Sequence, residues 1–402
     1  MNFKTIDKIN FNGKKALVRV DYNVPLDSNL KVVDESRILS SLPTINKILD
    51  DGGSCVLISH MGRPSGINAD KLSLKNIIPS LEKLINKKIL FCDDCISENT
   101  LEKCKNLKNG EIVLLENLRF YKEEEIGDIE FAKKLSLLGD VYVNDAFGTS
   151  HRIHSSNAII SNFFNKKCIG YLIENEIKNI NNILYKKSKP FTAILGGSKV
   201  SDKILLIEKL MNYVDNLIIG GAMSNTFIKA KSGKIGNSIY ELDKIELVKK
   251  LLDKSIKMNT KIYLPIDFLV SKSIKISSPT KVFNSGEIKK EWINVDIGPK
   301  SIKKFNEIIM SSKKLLWNGP MGIYEINEYS IGTSNIANSI SNSTKNGSFS
   351  LIGGGDSVAV ATKQNLKNNF SFISTGGGAL LSYLTNEKLN SIENINKLSL
   401  KD

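Results

Sequence analysis

The chain has 402 residues, of which 41% are hydrophobic and 24% are charged, and its formal net charge is +14. This length predicts two or three domains, each large enough to bury a core of its own. The composition is ordinary for a soluble globular protein, and no apolar run approaches the length of a membrane span. Because the first residues also lack an apolar signal core, we expect a cytoplasmic protein that does not associate with membranes.

The basic residues indicate an anionic partner, either nucleic acid or a small charged substrate. The lysines are scattered along the chain and aromatic residues make up only 7%, which argues against a nucleic-acid surface. The arginines are few and all lie within the first 152 residues, which favours a local need for the planar, bidentate guanidinium. They are Arg19, Arg37, Arg63, Arg119 and Arg152.

The cysteines do not suggest a disulfide framework, because there are five of them and no secretion signal. Cys92, Cys95 and Cys104 could contribute to a zinc site, but neither a second CxxC motif nor a nearby pair of histidines completes it. We therefore interpret the cysteines as reduced thiols and keep the zinc site as the alternative.

In the first half, four predicted strands each end in a cluster of cationic or hydrogen-bonding residues. The strands cover residues 15–21, 55–59, 112–115 and 141–143, and a helix is predicted over residues 35–48. Parallel strands place their carboxyl ends at one edge of a sheet, so the clusters predict a cationic rim for a small anion that carries phosphate or carboxylate. Taken singly, each arginine could instead be an ion-paired surface group. Arg19 lies inside a strand, so we interpret it as half of an internal pair and leave it out of this site.

In the second half, four glycine-rich turns each follow a predicted strand and open a helix. They lie at residues 196–197, 220–221, 353–355 and 376–378. Free backbone N–H groups and the helix dipole at such turns favour phosphate, and four turns together predict a shared crevice. The polar segment from residue 271 to residue 291 predicts an exposed hairpin in the same half.

Asp356 is an acidic residue inside one of these phosphate turns. A carboxylate repels phosphate unless a Mg²⁺ ion lies between them, and Mg²⁺ commonly binds one or two carboxylates together with nucleotide phosphates. The sequence therefore predicts Asp356 as a magnesium ligand. The alternative is a plain strand-to-helix turn in which Asp356 is the N-cap.

Lys199 and Lys203 follow the first glycine turn, and we predict that they share one face of a helix and interact with a transferring group. The alternative is a solvated helix face. The chain contains no G-x-x-x-x-G-K-[ST] motif and no complete G-x-G-x-x-G motif, which disfavours P-loop enzymes and nicotinamide oxidoreductases. Phosphoryl transfer between a nucleotide and a small acid would use both halves, since positioning and neutralisation by lysine, arginine and Mg²⁺ supply most of such catalysis.

Ten motifs, in family order and nearly end to end, resemble the phosphoglycerate kinase family. They are VRVDYNVP, SHMGRP, ENLRFY, VNDAFGTSHRIHSS, ILGGSKVSDK, GGAMSNTF, DIGPKS, WNGPMGIYE, GGGDSVA and STGGGA. The resemblance implies reversible, Mg²⁺-dependent phosphoryl transfer between 1,3-bisphosphoglycerate with ADP and 3-phosphoglycerate with ATP. No general base is then needed, because the acceptor in the ATP-consuming direction is an ionised carboxylate.

The resemblance also implies roles for individual residues. The residues implied for phosphoglycerate are Asp21, Asn23, Arg37, His60, Met61, Gly62, Arg63, Arg119 and Arg152. The residues implied for the nucleotide are Lys203, Asn318, Glu325, Gly354, Gly355, Asp356 and Ser357, with Asp356 toward the metal. The residues implied in catalysis, where they neutralise the moving phosphoryl group, are Arg37, Lys199 and Lys203.

The fold implied is α/β, with two doubly wound, Rossmann-like parallel-sheet domains joined by a hinge. We expect a phosphoglycerate domain over residues 1–185, a nucleotide domain over residues 190–385, and a segment over residues 386–402 that packs back on the first domain. Pro190 and the basic run before it predict the hinge near residues 186–190. The family is usually monomeric, so we also expect a monomer.

One segment departs from the family pattern. After the last glycine turn the chain has Leu380, Leu381, Ser382 and Tyr383, where the family usually has a serine, a leucine and a glutamate. The loss of a hydroxyl and a carboxylate beside the transferring phosphate bears on turnover more than on fold or ligand identity. A non-catalytic binding protein on the same scaffold is therefore the rival hypothesis.

Overall fold

The computed structural model describes residues 3–64 and 66–397. The chain forms two compact units. The first consists of the chain up to Lys178 together with the chain from Asn386 onward, and the second runs from Asn179 to Thr385. None of the described helices combines the length and the apolar composition that a bilayer crossing requires.

The first unit is built on a six-stranded sheet in which all paired strands are parallel. Its strands are β1 (Lys15–Arg19), β2 (Ser54–Ile58), β3 (Ile89–Cys92), β4 (Ile112–Leu115), β5 (Val141–Asn144) and β6 (Lys167–Ile169). The helices that begin in this part of the chain are α1 (Ser36–Asp50), α2 (Ile78–Ile85), α3 (Glu98–Lys105), α4 (Lys122–Ile126), α5 (Ile129–Ser136) and α6 (Tyr171–Tyr185). A π-helical turn, Ser155–Ile159, follows β5.

The strand order in this sheet is β3-β4-β2-β1-β5-β6. The chain therefore starts at the centre, moves outward through β2, and returns to the other side of β1 with β5. Strands β2, β4 and β5 are buried along their whole length, as expected for parallel strands covered on both faces. The reversal between β1 and β5 is the topological switch point, where ligands of doubly wound folds bind.

The second unit contains a second six-stranded parallel sheet, in the order β10-β8-β7-β15-β16-β17. The strands of the second unit are β7 (Phe191–Leu195), β8 (Asn216–Ile219), β9 (Lys234–Ile235), β10 (Lys261–Tyr263), β11 (Asp267–Ser271), β12 (Thr280–Asn284), β13 (Glu287–Ile288), β14 (Ile293–Ile297), β15 (Lys314–Asn318), β16 (Phe349–Ile352) and β17 (Phe372–Ile373). The next helices are α7 (Ile204–Leu210), α8 (Met223–Ala230), α9 (Ile245–Lys257), α10 (Pro299–Ser311), α11 (Ile331–Lys345), α12 (Gly355–Lys363) and α13 (Gly377–Leu384). The two parallel sheets confirm the predicted fold class, and the switch point of the second sheet lies between β7 and β15.

The hairpin predicted over residues 271–291 is correct only in part. β12 lies inside this segment, but its antiparallel partner β11 begins before it, and the two strands pair from Asp267–Asn284 to Ser271–Thr280. At the end of the segment, β13 pairs in parallel with β9 instead. The hairpin belongs to a three-stranded sheet, because β14 pairs with the other edge of β11. Strand β14 was not predicted from the sequence.

Two buried side chains hold the ends of α6. At its start, Asp145 Oδ1 accepts hydrogen bonds from the backbone N–H groups of Leu172 (2.9 Å) and Ile173 (3.4 Å). At its end, Lys314 Nζ donates to the carbonyl oxygens of Ile183 (2.8 Å) and Lys186 (2.6 Å). Some of the N–H and carbonyl groups that lack partners within the helix are thereby satisfied.

The last helix, α14 (Asn390–Glu393), lies in the first unit. Asn394 Nδ2 donates to the Ala158 carbonyl oxygen (3.0 Å), and the Ser391 N–H donates to the Ser150 carbonyl oxygen (3.4 Å). Ile392 and Ile395 are buried there. The first unit is therefore discontinuous in sequence.

Candidate active site

The four strands whose ends carry the polar clusters of the first half are neighbours in the sheet, in the order β4-β2-β1-β5. This adjacency confirms the prediction that the clusters share one sheet edge. The rim lies at the carboxyl ends of the strands and includes the switch point between β1 and β5.

Asp21 lies just beyond β1 and is nearly buried. It forms an ion pair with Arg37, which is in the first turn of α1. His60, just beyond β2, has its Nδ1 atom 3.9 Å from Asp21 Oδ1. Burial lowers the pKa of His60 well below its usual range, and the charges of Arg19, Arg119, Arg152 and Arg37 lower it further. The imidazole is therefore neutral at physiological pH, and at the rim it can act as a hydrogen-bond donor or acceptor.

The loop from His60 to Arg63 is held by its backbone. The Gly62 N–H donates to Asn23 Oδ1 (2.9 Å), and Arg119 donates to the Gly62 carbonyl oxygen (2.7 Å). Asn117 exchanges two hydrogen bonds with the backbone of Met61, at 3.1 and 2.7 Å. Asn117 belongs to the ENLRFY motif, and the sequence indicated no role for it. Its partner is 56 residues away along the chain, so only the sheet order shows the contact.

The remaining rim arginines are close enough to affect one another. Burial lowers the pKa of Arg152, and the charge of Arg63 lowers it further. Arg119 lies 3.2 Å from Glu125 Oε1, whose negative charge partly balances its own. Arg63 is exposed, and Arg152 is half-buried. Such a concentration of guanidinium groups around one exposed edge favours a doubly or triply charged anion.

In the second unit, Lys203 lies at the switch point. Its ammonium donates to the Gly196 carbonyl oxygen beyond β7 (2.6 Å), and to the carbonyl oxygen (2.8 Å) and Oδ1 (2.6 Å) of Asn318 at the end of β15. Burial lowers the pKa of Lys203 to about 8, and the nearby charge of Asp356 opposes this shift. The side chain therefore joins the two strand ends between which the sheet order reverses.

Lys199 is placed differently from the prediction. It is exposed in the loop after β7, and the helical turn that contains Lys203 begins only at Ser201. The expectation that both lysines share one helix face is therefore wrong. The loop after the glycine turn continues through residue 200, so Lys199 is exposed and Lys203 is half-buried.

The turn before α12 has the geometry of an anion site. Gly354, the N-cap residue, has a φ of 93°, and a Cβ atom there would lie 2.8 Å from Asn318 Nδ2. Beyond it, the space beside Gly355 is open. Asn318 Nδ2 donates to the Gly353 carbonyl oxygen (2.9 Å), and so fixes the turn to β15. The first N–H groups of α12 are thus presented at an unobstructed helix start.

Ser357 does not expose its hydroxyl at this turn. The side chain is fully buried, and Ser357 Oγ accepts a hydrogen bond from the Gly319 N–H (2.7 Å). Any contact that this residue makes with an anion would therefore come from its backbone.

A cavity of about 290 Å³ opens beside the same turn. Apolar side chains and glycine backbone form most of its lining, including Ile239, Ile274 and Val295, and Glu325 and Asp356 also line it. Tyr324 donates a hydrogen bond to Asp356 Oδ1 (3.1 Å), a contact that sequence reasoning did not predict. A flat apolar group with a charged tail would match this lining.

Within the described residues, no three His, Cys, Asp or Glu side chains come together as a metal site, either at Cys92–Cys104 or elsewhere. All five cysteines are buried thiols. Asp356 is exposed in the first turn of α12, beside the open helix start. One carboxylate beside a phosphate-type turn fits Mg²⁺, which takes most of its ligands from phosphate and water.

The atypical segment after the last glycine turn lies in α13. Leu380 is fully buried against Gly353, where an added Cβ would overlap its side chain. Tyr383 donates to Asn181 Oδ1 on α6 (3.0 Å). This segment therefore supports the glycine turn by apolar packing.

Comparison with known proteins agrees with this geometry. The model of the phosphoglycerate kinase family matches residues 6–387. The phosphoglycerate kinase of Porphyromonas gingivalis is 45% identical over 96% of this chain and 99% of its own length, and that of Pelodictyon phaeoclathratiforme is 44% identical over 98% and 100%. Among solved structures, the phosphoglycerate kinase of Coxiella burnetii has a TM-score of 0.87 at 33% identity and covers 98% of this chain and 99% of its own. That of Pyrococcus horikoshii has a TM-score of 0.83 at 30% identity and covers 98% of both.

Three findings point to the same family. Each parallel sheet carries a site at its switch point, the family model matches almost the whole chain, and the relatives match over nearly their full length. The chain belongs to the phosphoglycerate kinase family, which carries out the reversible phosphoryl transfer of glycolysis between 1,3-bisphosphoglycerate with ADP and 3-phosphoglycerate with ATP.

Proposed function

We propose that the two strand-end sites divide the reaction between them. The first unit would bind the phosphoglycerate, and the second would bind ATP or ADP with Mg²⁺. The observation that carries this assignment is the different chemistry of the two sites. Arginines and a neutral histidine surround the switch point of the first sheet, whereas an apolar cavity and an open helix start adjoin that of the second.

On the first unit, the exposed Arg63 and half-buried Arg152 would bind the phosphate and carboxylate oxygens. Asn23, Met61 and Gly62 would shape the loop that meets them. Arg37 would bind the reacting carboxyl end while Asp21 holds its guanidinium in place. Arg119, which is hydrogen-bonded to the Gly62 carbonyl oxygen, would add positive charge to the same rim.

On the second unit, the apolar part of the cavity would take the base of the nucleotide, and Glu325 its sugar. Gly354, Gly355 and the backbone of Ser357 would bind phosphate at the start of α12. Asp356 would hold a Mg²⁺ ion, which neutralises phosphate charge when it is bound. Asn318 and Lys203 would keep the strand ends in position beside the phosphates.

Lys199 would neutralise the transferring phosphoryl group together with Arg37. Its exposure in a glycine-flanked loop leaves the ammonium free to move toward that group. Lys203, in contrast, is held by three oxygen atoms, so its contribution would be a fixed positive charge. No proton needs to be removed, because the acceptor oxygen belongs to an ionised carboxylate.

With the ligands on separate units, in-line transfer requires that the units close, which would also exclude water. The segment predicted as the hinge, residues 186–190, is tied to the second unit: the Lys186 and Pro190 carbonyls accept hydrogen bonds from β15 and the residue before it. We therefore place the hinge nearer the division between Lys178 and Asn179. We further propose a monomer in the cytoplasm.

A coupled assay of ATP-dependent phosphorylation of 3-phosphoglycerate, with and without Mg²⁺, tests the proposal. The wild type should turn over only with Mg²⁺, and Arg37→Ala should lose at least about a hundredfold in kcat. Lys47→Ala, which removes a cation from the same helix away from the rim, is the matched control and should keep wild-type kcat.

Calorimetry separates the possible failures of this assay. If the wild type binds both ligands but does not turn over, the loss would be traced to the Leu380–Tyr383 segment, and the rival hypothesis of a binding protein would hold. If neither ligand binds, the assignment of the two sites is wrong.

A further inference from the structure

We infer that Arg19 is a positioning residue that fixes His60 in the neutral tautomer with its proton on Nε2. The ring nitrogen that carries the proton decides whether His60 offers a donor or an acceptor to an anion. The inference rests on the proposed binding of phosphoglycerate at the rim of the first unit. It concerns a residue that the sequence pattern had set aside as internal.

The contact between the two side chains fixes the direction of the hydrogen bond. Arg19 is fully buried on β1, and its Nη2 atom lies 3.3 Å from His60 Nδ1. A guanidinium has only donors, so Nδ1 must accept, and in a neutral imidazole the proton is then on Nε2.

The other groups near His60 do not provide an alternative arrangement. Asp21 Oδ1 is 3.9 Å from His60 Nδ1, which is too far for a hydrogen bond that would draw the proton to that nitrogen. The remaining charges that face the ring are the cations Arg37, Arg119 and Arg152, which oppose a second proton. In the described ranges, 3–64 and 66–397, His60 Nε2 makes no protein hydrogen bond, so it is available to a ligand.

Arg19 is itself held in place on its other side. Its Nε donates to Ser156 Oγ (2.9 Å), and one of its terminal nitrogens donates to the Val20 carbonyl oxygen. Ser156 Oγ in turn donates to Glu124 Oε1 (2.6 Å), and the Ser156 N–H donates to Glu124 Oε2 (2.9 Å). A fully buried carboxylate thus balances the guanidinium through one hydroxyl, and the chain of contacts leaves Arg19 little freedom to turn from His60.

The consequence concerns recognition of the acid substrate. An Nε2–H group donates to a carboxylate, phosphate or hydroxyl oxygen of phosphoglycerate, whereas a bare Nε2 lone pair repels an anionic oxygen. Arg19 would thus raise affinity without contacting the ligand.

Nitrogen-15 NMR of the imidazole rings tests the inference on the ligand-free protein. The chain has three histidines, so the spectrum is simple and His60→Gln assigns the His60 signal. In the wild type, His60 should show a protonated Nε2 and a bare Nδ1, unchanged between pH 6 and 8. In Arg19→Met, with the donor and the nearest cation gone, His60 should show mixed tautomers or gain a proton within that range.

Ser156→Ala removes the other side-chain contact of Arg19 but keeps the guanidinium itself. Because that contact holds Arg19 toward His60, this variant should show a smaller fraction of the Nε2–H tautomer than the wild type and a larger fraction than Arg19→Met. Arg19→Lys keeps the charge and one donor and should restore the signal at least in part. If Arg19→Met does not fold, the wild-type spectrum alone decides: a proton on Nδ1, or a charged ring at neutral pH, overturns the inference. An unchanged His60 signal in folded Arg19→Met also overturns it.

Kinetics then test the link to the substrate. Arg19→Met should raise KM for 3-phosphoglycerate roughly tenfold, the loss of about one charge-assisted hydrogen bond, with a smaller change in kcat. In a His60→Gln background the same substitution should add little, because the two residues act through one contact. Additive effects would contradict action through His60. Failure of the proposed function would remove turnover and leave the NMR result standing, so the two failures are distinguishable.

Discussion

Lys199 and Lys203 are four residues apart, and the structure gives them opposite environments. We predict that Lys203→Met destabilises the second unit, because three oxygen acceptors lose their donor in a half-buried position. The free energy of unfolding should fall by about 1–3 kcal/mol, measured by denaturant titration. Lys199→Met, at an exposed position, should keep wild-type stability and lose activity. Equal stability losses in the two variants would contradict the difference in burial.

Asp356 gives a second prediction at the scale of one residue. Asp356→Asn should raise the Mg²⁺ concentration needed for half-maximal activity by roughly tenfold, because a neutral amide is a weaker ligand for a hard cation. The measurement is a Mg²⁺ titration at fixed, saturating ATP. The control is Asp253→Asn on α9, which is also exposed and lies outside the cavity lining. An unchanged Mg²⁺ requirement in Asp356→Asn would mean that this carboxylate is not a metal ligand. The N-cap alternative is already wrong, because Gly354 is the N-cap and Asp356 lies inside the first turn of α12.

From the sequence, the types of residue at the site were easier to predict than the contacts between them. Arginines and histidines after strands, and glycines before helices, have a chemistry that follows from their position in the chain. The roles of Asn117 and Arg19 depend on side-chain contacts across 56 and 41 residues, which local pattern does not contain. The error at Lys199 has a local cause, since a glycine turn gives no indication of how many residues precede the first helical turn.

At the scale of elements, α6 depends on a buried cap that titrates. Burial raises the pKa of Asp145 to about 7, although the hydrogen bonds that its carboxylate accepts from Thr44 and from the α6 backbone oppose the shift. The folded chain therefore binds a proton at this carboxyl over a range in which the unfolded chain does not. The stability that this group contributes is complete below about pH 4 and is lost as the pH rises through about 7.

We predict that this loss is visible in thermal unfolding of the first unit. Between pH 5 and 7 the free energy of unfolding should fall by up to about 1.4 kcal/mol per pH unit from this group. Asp145→Asn keeps an acceptor oxygen for the Leu172 N–H and should flatten the slope. Asp93→Asn, an exposed acid in the same unit, should leave the slope unchanged. The same slope in all three proteins would mean that another group causes it.

The elements most open to prediction were the central parallel strands, because strands buried on both faces are short continuous apolar runs. Strand order was not predictable, since it depends on which apolar faces pack together. The small antiparallel sheet was predicted only in part: the hairpin of β11 and β12 has polar turn residues between its strands, whereas β14 leads directly into α10. The pattern of the helix start therefore dominated the sequence around β14, and the strand was not recognised.

At the scale of the molecule, the question is whether the net charge of +14 or the arginine rim attracts the acid substrate. The rim concentrates charge at one sheet edge, so we predict that KM for 3-phosphoglycerate rises several-fold between about 0.02 and about 0.3 M salt. Replacing Lys249 and Lys250 on α9 by glutamate lowers the net charge and leaves the rim intact. That variant should keep the salt dependence of the wild type, and a flatter dependence would favour the overall charge.

The return of α14 to the first unit has a consequence for folding during synthesis. Ile392 and Ile395 bury their side chains in a unit whose other residues precede Asn179. A ribosome therefore synthesises the whole second unit, which is continuous in sequence, before the last part of the first unit. A free chain truncated after residue 385 should contain a protease-resistant second unit and a first unit that is still open to cleavage. Expression tags or truncations near α14 would then disturb the first unit, although most of that unit is synthesised before the second.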